Sequence, residues 1–371
     1  MPPRRLSDRR ARLLRLRAGR LHPSARKGPL PVEGVVRDVV ALQAQVASAA
    51  ALAVRARSTG LTAAEIERAR VDEQTVVRTW CLRGTLHLVA GEDVRWLLGL
   101  VAQPVLAGYR KRYEELGLDD ITVRRALQVI ADAVGEGKPL TRAELAERLA
   151  HRGIDPAGQR VAHLVGRAAL EGLLCHGPFR GRDATYVSLP PTISTPFEGE
   201  EALVELARRY LLGYGPAGPR DFATWSGLSV RDARRAWSSL KDELVEVVVA
   251  GEPAWLPTER ADWLEETDPE SPVILLLPSF DVYLLGYRTR DLAVAPRHAR
   301  RVWPGGGWLH PVVLSDGLVV ATWKTDPRGR GLHISVDPFG SLSGVVLRRI
   351  EEEAADIGRF PGTQVSVGLV R

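Results

Sequence analysis

With 371 residues, 45% hydrophobic and 26% charged, the chain has the composition of an ordinary soluble globular protein and the length for two or three domains. No apolar run approaches the ~18–20 residues that a membrane helix needs, and no uninterrupted apolar stretch follows the arginine-rich start, which argues against a secretory signal. The formal net charge of +6 is unevenly spread: residues 1–30 hold nine arginines and Lys27 against Asp8 alone, a net +9, leaving −3 for the rest.

Cys81 and Cys175 are the only cysteines and form no CxxC, which speaks against a disulfide framework and a zinc-thiolate site. The eight histidines never pair at i,i+4 spacing, so no metal site or cofactor is predicted. These features describe a reduced, cytoplasmic protein, gathered on the nucleoid if it binds DNA.

The basic arm, residues 1–30, has two compatible readings. It is a phosphate-binding element, since each neutralised phosphate releases counterions, or an amphipathic helix packing Leu6, Leu13, Leu14 and Leu16 with its arginines in water. After it, residues 31–120 predict a first unit. "EGVVRDVVALQAQ" (33–45) reads as a helix and "TAAEIERAR" (62–70) as another with a T-x-x-E cap. "TVVRTWCL" and "TLHLVA" read as strands about Arg83-Gly84.

The pattern recurs in residues 121–195. "ITVRRALQVIADAV" (121–134) aligns Ala126, Leu127, Ile130 and Val134 on one helical face, and "TRAELAERLA" (141–150) opens with a Thr141/Glu144 capping box. A third helix over 157–174 precedes two short β-prone runs, "LLCHG" and "ATYVSL", about the turn "PFRGRD". Residues 196–260 repeat it: helices over 201–215, 219–227 and 229–240, then "LVEVVV" and "PAWLP".

Residues 261–371 are β-rich. "SPVILLLPSFDVYLLGY" (271–287), "WLHPVVLSDGLVVATWK" (308–324) and "LHISVD" (332–337) are apolar runs separated by turn signals. The turn "KTDPRGRG" (324–331) places Lys324, Arg328 and Arg330 at a hairpin tip, where cations can enter a DNA groove or simply face water. The predicted fold class is α+β: three tandem winged helix-turn-helix modules plus a C-terminal β-rich region, together forming a concave DNA-binding surface. Three modules in one chain suit a monomer wrapped around one duplex, whereas a small dimeric repressor needs one.

Binding alone would make the protein a transcriptional regulator. The stretch "ALQAQVASAA" (41–50) raises the question of chemistry, because Gln43 and Gln45 place two costly amides in a run of small apolar residues. In a helix, i and i+2 point to different sides, so both reach one site only if the helix ends near residue 45. Helix-end amides bonded to backbone would be the structural alternative.

The blocks "LQAQ" (42–45), "RTWCLRGTLHLV" (78–89), "LLPSFDVYLLGYR" (276–288) and "PVVLSDGLVVATWK" (311–324) resemble the winged-helix DNA glycosylases of the AlkZ/AlkX type, over nearly the whole chain. The resemblance implies hydrolysis of the N-glycosidic bond of alkylated purines in double-stranded DNA. For the AlkZ side it implies bulky N7-alkylguanines and interstrand crosslinks, as protection of producers against their own genotoxins. It implies catalysis by Gln43-Ala44-Gln45 and a C-terminal hairpin facing DNA, mapped onto residues 320–336; Ala44 is smaller than the usual middle residue.

Two neutral amides suit that chemistry. An N7-alkylated guanine is already cationic and leaves without a general acid, so a glutamine carbonyl need only position the attacking water. Positioning supplies up to ~7–11 kcal/mol in well-oriented cases. Glutamine cannot act as a strong base, which spares normal guanine. No lysine lies nearby in sequence for a Schiff base, so a monofunctional enzyme is predicted. Arg83, beside the hairpin glycine, is the expected phosphate contact, with Arg288 and His87 as further DNA contacts, although a core histidine is the plainer reading of His87. Asp281 and Arg78 are second-rank candidates, the first also readable as a capping carboxylate and the second as part of a packed strand. A DNA-binding relative without catalysis is the remaining alternative.

Overall fold

The computed structural model describes residues 3–26, 28–191, 196–328 and 331–370. Its architecture is α+β, with helices grouped around three small sheets and one larger one.

The chain opens with strand β1 (Arg4–Arg5) and helix α1 (Asp8–Ala18), the latter capped by Ser7, whose hydroxyl accepts from the Arg10 amide. α1 buries Leu13, Leu14 and Leu16 as the amphipathic reading requires. Three of its arginines, and Arg4 of β1, are paired with acids. Arg9 meets Asp268 at 2.8 Å and Asp316 at 2.9 Å, Arg10 meets Asp268 at 2.7 Å, Arg4 meets Glu265 at 2.6 Å, and Arg17 pairs with Glu266. The acids of the "EETDPE" segment and Asp316 supply countercharge for these four side chains.

Helix α2 (Val32–Asp38) is shorter than predicted, and strand β2 (Ala41–Gln43) follows it. The helix expected over 33–45 fails at Val40. Its φ is +65°, and the Ala41 amide bonds the Val39 carbonyl at 2.7 Å. That is a γ-turn of the strained, positive-φ kind, unusual for a β-branched residue. Val39, Val40, Ala41 and Leu42 are all fully buried, so tertiary packing holds the turn.

Helices α3 (Ala47–Arg57) and α4 (Ala63–Val71) come next, α4 with the predicted Thr62/Glu65 capping box. Strands β3 (Val76–Trp80) and β4 (Leu86–Ala90) form an antiparallel hairpin, and β2 adds to β4 with Gln43 opposite His87. Helices α5 (Val94–Gly108) and α6 (Arg110–Glu115) lead out of this unit.

The second group holds helix α7 (Asp120–Gly135), the short strand β5 (Leu140–Thr141), helices α8 (Arg142–His151) and α9 (Arg160–Leu170), and the hairpin of β6 (Leu174–His176) and β7 (Thr185–Ser188). Ala126, Leu127, Ile130 and Val134 are buried, and the Thr141/Glu144 box is formed. The third group holds α10 (Gly199–Tyr214), α11 (Pro219–Ser226), α12 (Val230–Ser239) and the hairpin of β8 (Leu244–Val249) and β9 (Glu252–Pro257). β1 adds to β8 in parallel. The first and third groups share one hydrophobic cluster, joining Leu42, Leu97 and Val101 to Tyr210, Phe222 and Trp225, while the second has its own.

The last part is less uniformly β than expected. Strand β10 (Ile274–Leu277) is followed by a short helix, α13 (Val282–Leu285), where "SFDVYLLGY" had read as strand. Helix α14 (Ala299–Val302) precedes strands β11 (Val312–Ser315), β12 (Leu318–Arg328) and β13 (Gly331–Pro338); helix α15 (Gly344–Arg359) then crosses to strand β14 (Val365–Leu369). These strands form a five-stranded sheet in chain order, antiparallel except for the β13–β14 pair. Asp316 (φ 48°) and Gly317 (φ 77°) make the predicted two-residue turn. No helix among the described residues is long and apolar enough to cross a membrane.

Candidate functional site

The site is assembled at the end of β2. Gln43 is 8% exposed, and the pairing with β4 runs one residue further, because the Ala44 amide bonds the Leu86 carbonyl at 2.7 Å. Ala44 is fully buried, Gln45 is exposed, and α3 starts at Ala47. The two amides therefore sit on extended and bent backbone, where the constraint of a helix does not apply.

Gln43 is held by the β3–β4 turn. Arg83 Nη2 donates to Gln43 Oε1 at 3.1 Å, and the Thr85 hydroxyl makes a long contact to the same oxygen at 3.5 Å. A guanidinium only donates, so the amide oxygen must face Arg83 and the Gln43 NH2 group must face away. Arg83 itself is fixed on both sides. Its backbone is left-handed (φ 56°) and the next residue is Gly84 (φ 68°), where a Cβ would fall 2.4 Å from the Tyr109 hydroxyl. From the third group, Gly227 at the α11–α12 turn approaches so closely that a Cβ there would lie 3.1 Å from Arg83 Cγ. Burial pulls the Arg83 pKa down, and its Nη1 is buried without a hydrogen-bond partner among the described residues.

The other predicted residues fall in different surroundings. His87, opposite Gln43, is 1% exposed and donates from Nδ1 to the Thr85 carbonyl at 2.9 Å. Burial first, and Arg83 second, push its pKa down to about 3, so it is neutral at pH 7. Arg78 is 6% exposed, donates from Nε to the Ala44 carbonyl at 2.9 Å, and lies 3.2 Å by Nη1 from His176 Nδ1. Among the described residues no carboxylate pairs with it; burial, then Arg70, lower its pKa to about 10.

Asp281 forms a buried bidentate pair with Arg57 (2.7 and 2.8 Å) and accepts from the Tyr283 amide at 2.9 Å, as a capping carboxylate. Arg288 is exposed, its backbone amide bonded to Asp221 at 2.9 Å. Lys324 is on β12, its side chain 69% exposed and 3.4 Å from Asp326. Arg328 ends β12 opposite Gly331, and Arg330 lies outside the described residues.

Sequence reasoning missed one partner of the motif, Thr85, which touches Gln43 from the far side of a turn. Arg78, a second-rank candidate, holds the Ala44 carbonyl from a strand 34 residues away. Neither contact carries a local signal, because both depend on how β2 registers against the hairpin.

Known proteins share this arrangement of elements. Residues 36–360 match the family model described as DNA glycosylase AlkZ-like. A Streptomyces sahachiroi protein described as an interstrand DNA cross-link repair glycosylase is 32% identical over 343 residues, 88% of this chain and 90% of its own. The solved structure of Streptomyces sahachiroi DNA glycosylase AlkZ is similar over 99% of this chain and 100% of that one, with a TM-score of 0.82 and 29% identity.

Proposed function

This chain belongs to the AlkZ-like DNA glycosylase family, and from that premise we propose that it hydrolyses the N-glycosidic bond of N7-alkylated purines in duplex DNA, those in interstrand crosslinks included. The observation that carries the reading is the fixed amide of Gln43 beside the exposed amide of Gln45.

The two glutamines take different parts. Gln43 spends its carbonyl on Arg83 and turns two N–H donors outward, toward the sugar or the water. Gln45, free of such a constraint, offers its carbonyl to a water behind C1′. The N7-alkylguanine carries its own positive charge, so the C–N bond breaks with the electron pair leaving on a neutral base. Water closes on the oxocarbenium, its proton passes to solvent, and an abasic site remains. Arg83 is a positioning residue in this scheme.

The three groups of helices and small sheets serve as winged-helix modules in residues 31–120, 121–195 and 196–260, after the arm of residues 1–30. In the C-terminal region, residues 261–371, Lys324 on β12 contacts the duplex, together with Arg328 and Arg330 of the "KTDPRGRG" segment, and Arg288 adds a further cation. The protein works as a monomer around one DNA segment, gathered on the nucleoid.

The test uses one duplex with a single N7-methylguanine and another with an N7-alkylguanine crosslink. Each is incubated with wild type or with Gln43→Ala/Gln45→Ala, then treated with alkali. Wild type is expected to leave alkali-labile sites in both duplexes, and the double variant to lose at least a hundredfold in rate while still binding DNA. Intact strands with wild type, despite DNA binding, would leave a binding protein. Borohydride trapping is expected to give no covalent adduct.

A further inference from the structure

The β6–β7 wing of the second group carries a phenylalanine that the fold holds out in water. Phe179 is 44% exposed in the turn "GPFRGRD", yet the residues on both sides of it are tied down. The Gly177 carbonyl accepts from Arg70 at 2.7 Å, and the Pro178 carbonyl accepts from the Thr185 hydroxyl. Arg180 reaches Glu144 and the Pro139 carbonyl, each at 2.7 Å, and exchanges two backbone hydrogen bonds with Asp183. A turn pinned at so many points cannot fold the ring back onto a core.

A single exposed phenylalanine is ordinary on a protein surface. Its place makes this one particular. The ring lies 5.9 Å from the guanidinium of Arg78, which holds the Ala44 carbonyl between the two glutamines. Phe179 thus stands one side chain away from the motif, with nearly half of its surface open to whatever the motif acts on.

The cations beside the ring also decide what can stack on it. Arg70 lies 5.8 Å from the ring centre, so two guanidiniums already draw on its π-cloud, and a further positive group is repelled. An N7-alkylguanine is cationic, whereas the base next to it is neutral and offers a full face for stacking. Unstacking a base step is unfavourable, and an inserted apolar side chain offsets part of that cost.

We propose that Phe179 is a wedge: it enters the base stack beside the lesion, stacks on the neutral neighbouring base, and thereby frees the damaged nucleotide to turn its sugar toward Gln43 and Gln45. The inference rests on the glycosylase reading and adds a positioning residue to that site.

The experiment places 2-aminopurine, which brightens when its stacking is broken, on the 5′ or the 3′ side of one N7-methylguanine in otherwise identical duplexes. Binding is followed with Gln43→Ala/Gln45→Ala, so that the lesion is retained, with Phe179 present or replaced by alanine. At least twofold brightening is expected on one side of the lesion when Phe179 is present, and none with Phe179→Ala. In the active protein, Phe179→Ala is expected to lower the single-turnover rate tenfold or more on the paired duplex. Tenfold corresponds to about 1.4 kcal/mol, the scale of one base–ring stack. The rate should stay within threefold when the lesion lies in a short unpaired bubble, where the stack is already open. Phe179→Trp, which keeps an aromatic face, should recover most of the duplex rate.

A ring that only shields Arg70 and Arg78 would lower the melting temperature and slow both substrates equally, and that result overturns the wedge. Brightening that survives Phe179→Ala, or an unchanged duplex rate, overturns it as well; cleavage by wild type in those cases leaves the glycosylase reading standing. If wild type cleaves the duplex but not the bubble, the brightening decides. Wild type that cleaves neither removes both readings.

Discussion

The two ends of helix α3 are built on opposite principles. At its start, Ala47 and Ser48 follow the glutamines into an open cavity, and no side chain caps the first turn. At its end, Arg55 and Arg57 are each 1% exposed and clamped by acids of the C-terminal region. Arg57 takes Asp281, while Arg55 takes Asp356 at 2.7 Å and Glu353 at 3.2 Å. One end is anchored by buried charge, and the other is left small and unfilled. A helix held rigidly at one end can present loosely packed residues at the other without losing its place.

The comparison can be broken most severely at the anchor. Asp281→Ala leaves Arg57 buried without its carboxylate, and such uncompensated charges cost about 3–5 kcal/mol. Chemical denaturation is expected to show that loss; a change within 1 kcal/mol would mean that the anchor is dispensable. At the open end the effect moves from stability to rate. Arg83→Ala frees the Gln43 carbonyl and is expected to lower kcat about 10–100-fold, somewhat less than the ~10²–10³-fold of removing a direct donor. DNA affinity should stay within threefold, and Arg83→Lys should recover part of the rate. An unchanged kcat with weakened binding would instead make Arg83 a phosphate contact.

The smallest effect is set by pH. His87 and His176 lie close to the motif, and burial, the largest cause, pushes each pKa down to about 3. The unfolded chain takes up protons near the ordinary value of about 6.5 while the folded one does not, so stability is full above pH 6.5 and falls as pH drops toward 3. Each histidine is expected to cost about 1 kcal/mol between pH 6.5 and 5.5. His87→Asn should remove about half of that slope; an unaltered slope would show that His87 stays protonated in the fold.

What was legible in the sequence was local. The capping boxes at Thr62 and Thr141 span four residues, and the Asp316-Gly317 turn spans two, so their chemistry lies within one window. The β3–β4 hairpin about Arg83-Gly84 was legible for the same reason. Residues 41–43 misled because small apolar residues followed by a glutamine suit a helix, and their strand state comes from β4, more than 40 residues on. The Arg57–Asp281 pair spans 224 residues, beyond any pattern in the chain. The motif itself was visible, but not the inward turn of Arg83, since a hairpin arginine normally faces water.

The pairing of β1 with β8 also sets an order of events during synthesis. Arg4 and Arg5 lie against Val247 and Val248, and Arg9 waits for Asp268 and Asp316. At about 5–20 residues per second, the ribosome needs roughly 12–50 s to make the strand that the first residues join. The earliest part of the chain is thus among the last to find its place. A nascent chain halted before residue 244 would lack Glu265, Glu266, Asp268 and Asp316, the partners of Arg4, Arg9, Arg10 and Arg17, which gives truncated products a distinct electrophoretic and ion-exchange signature.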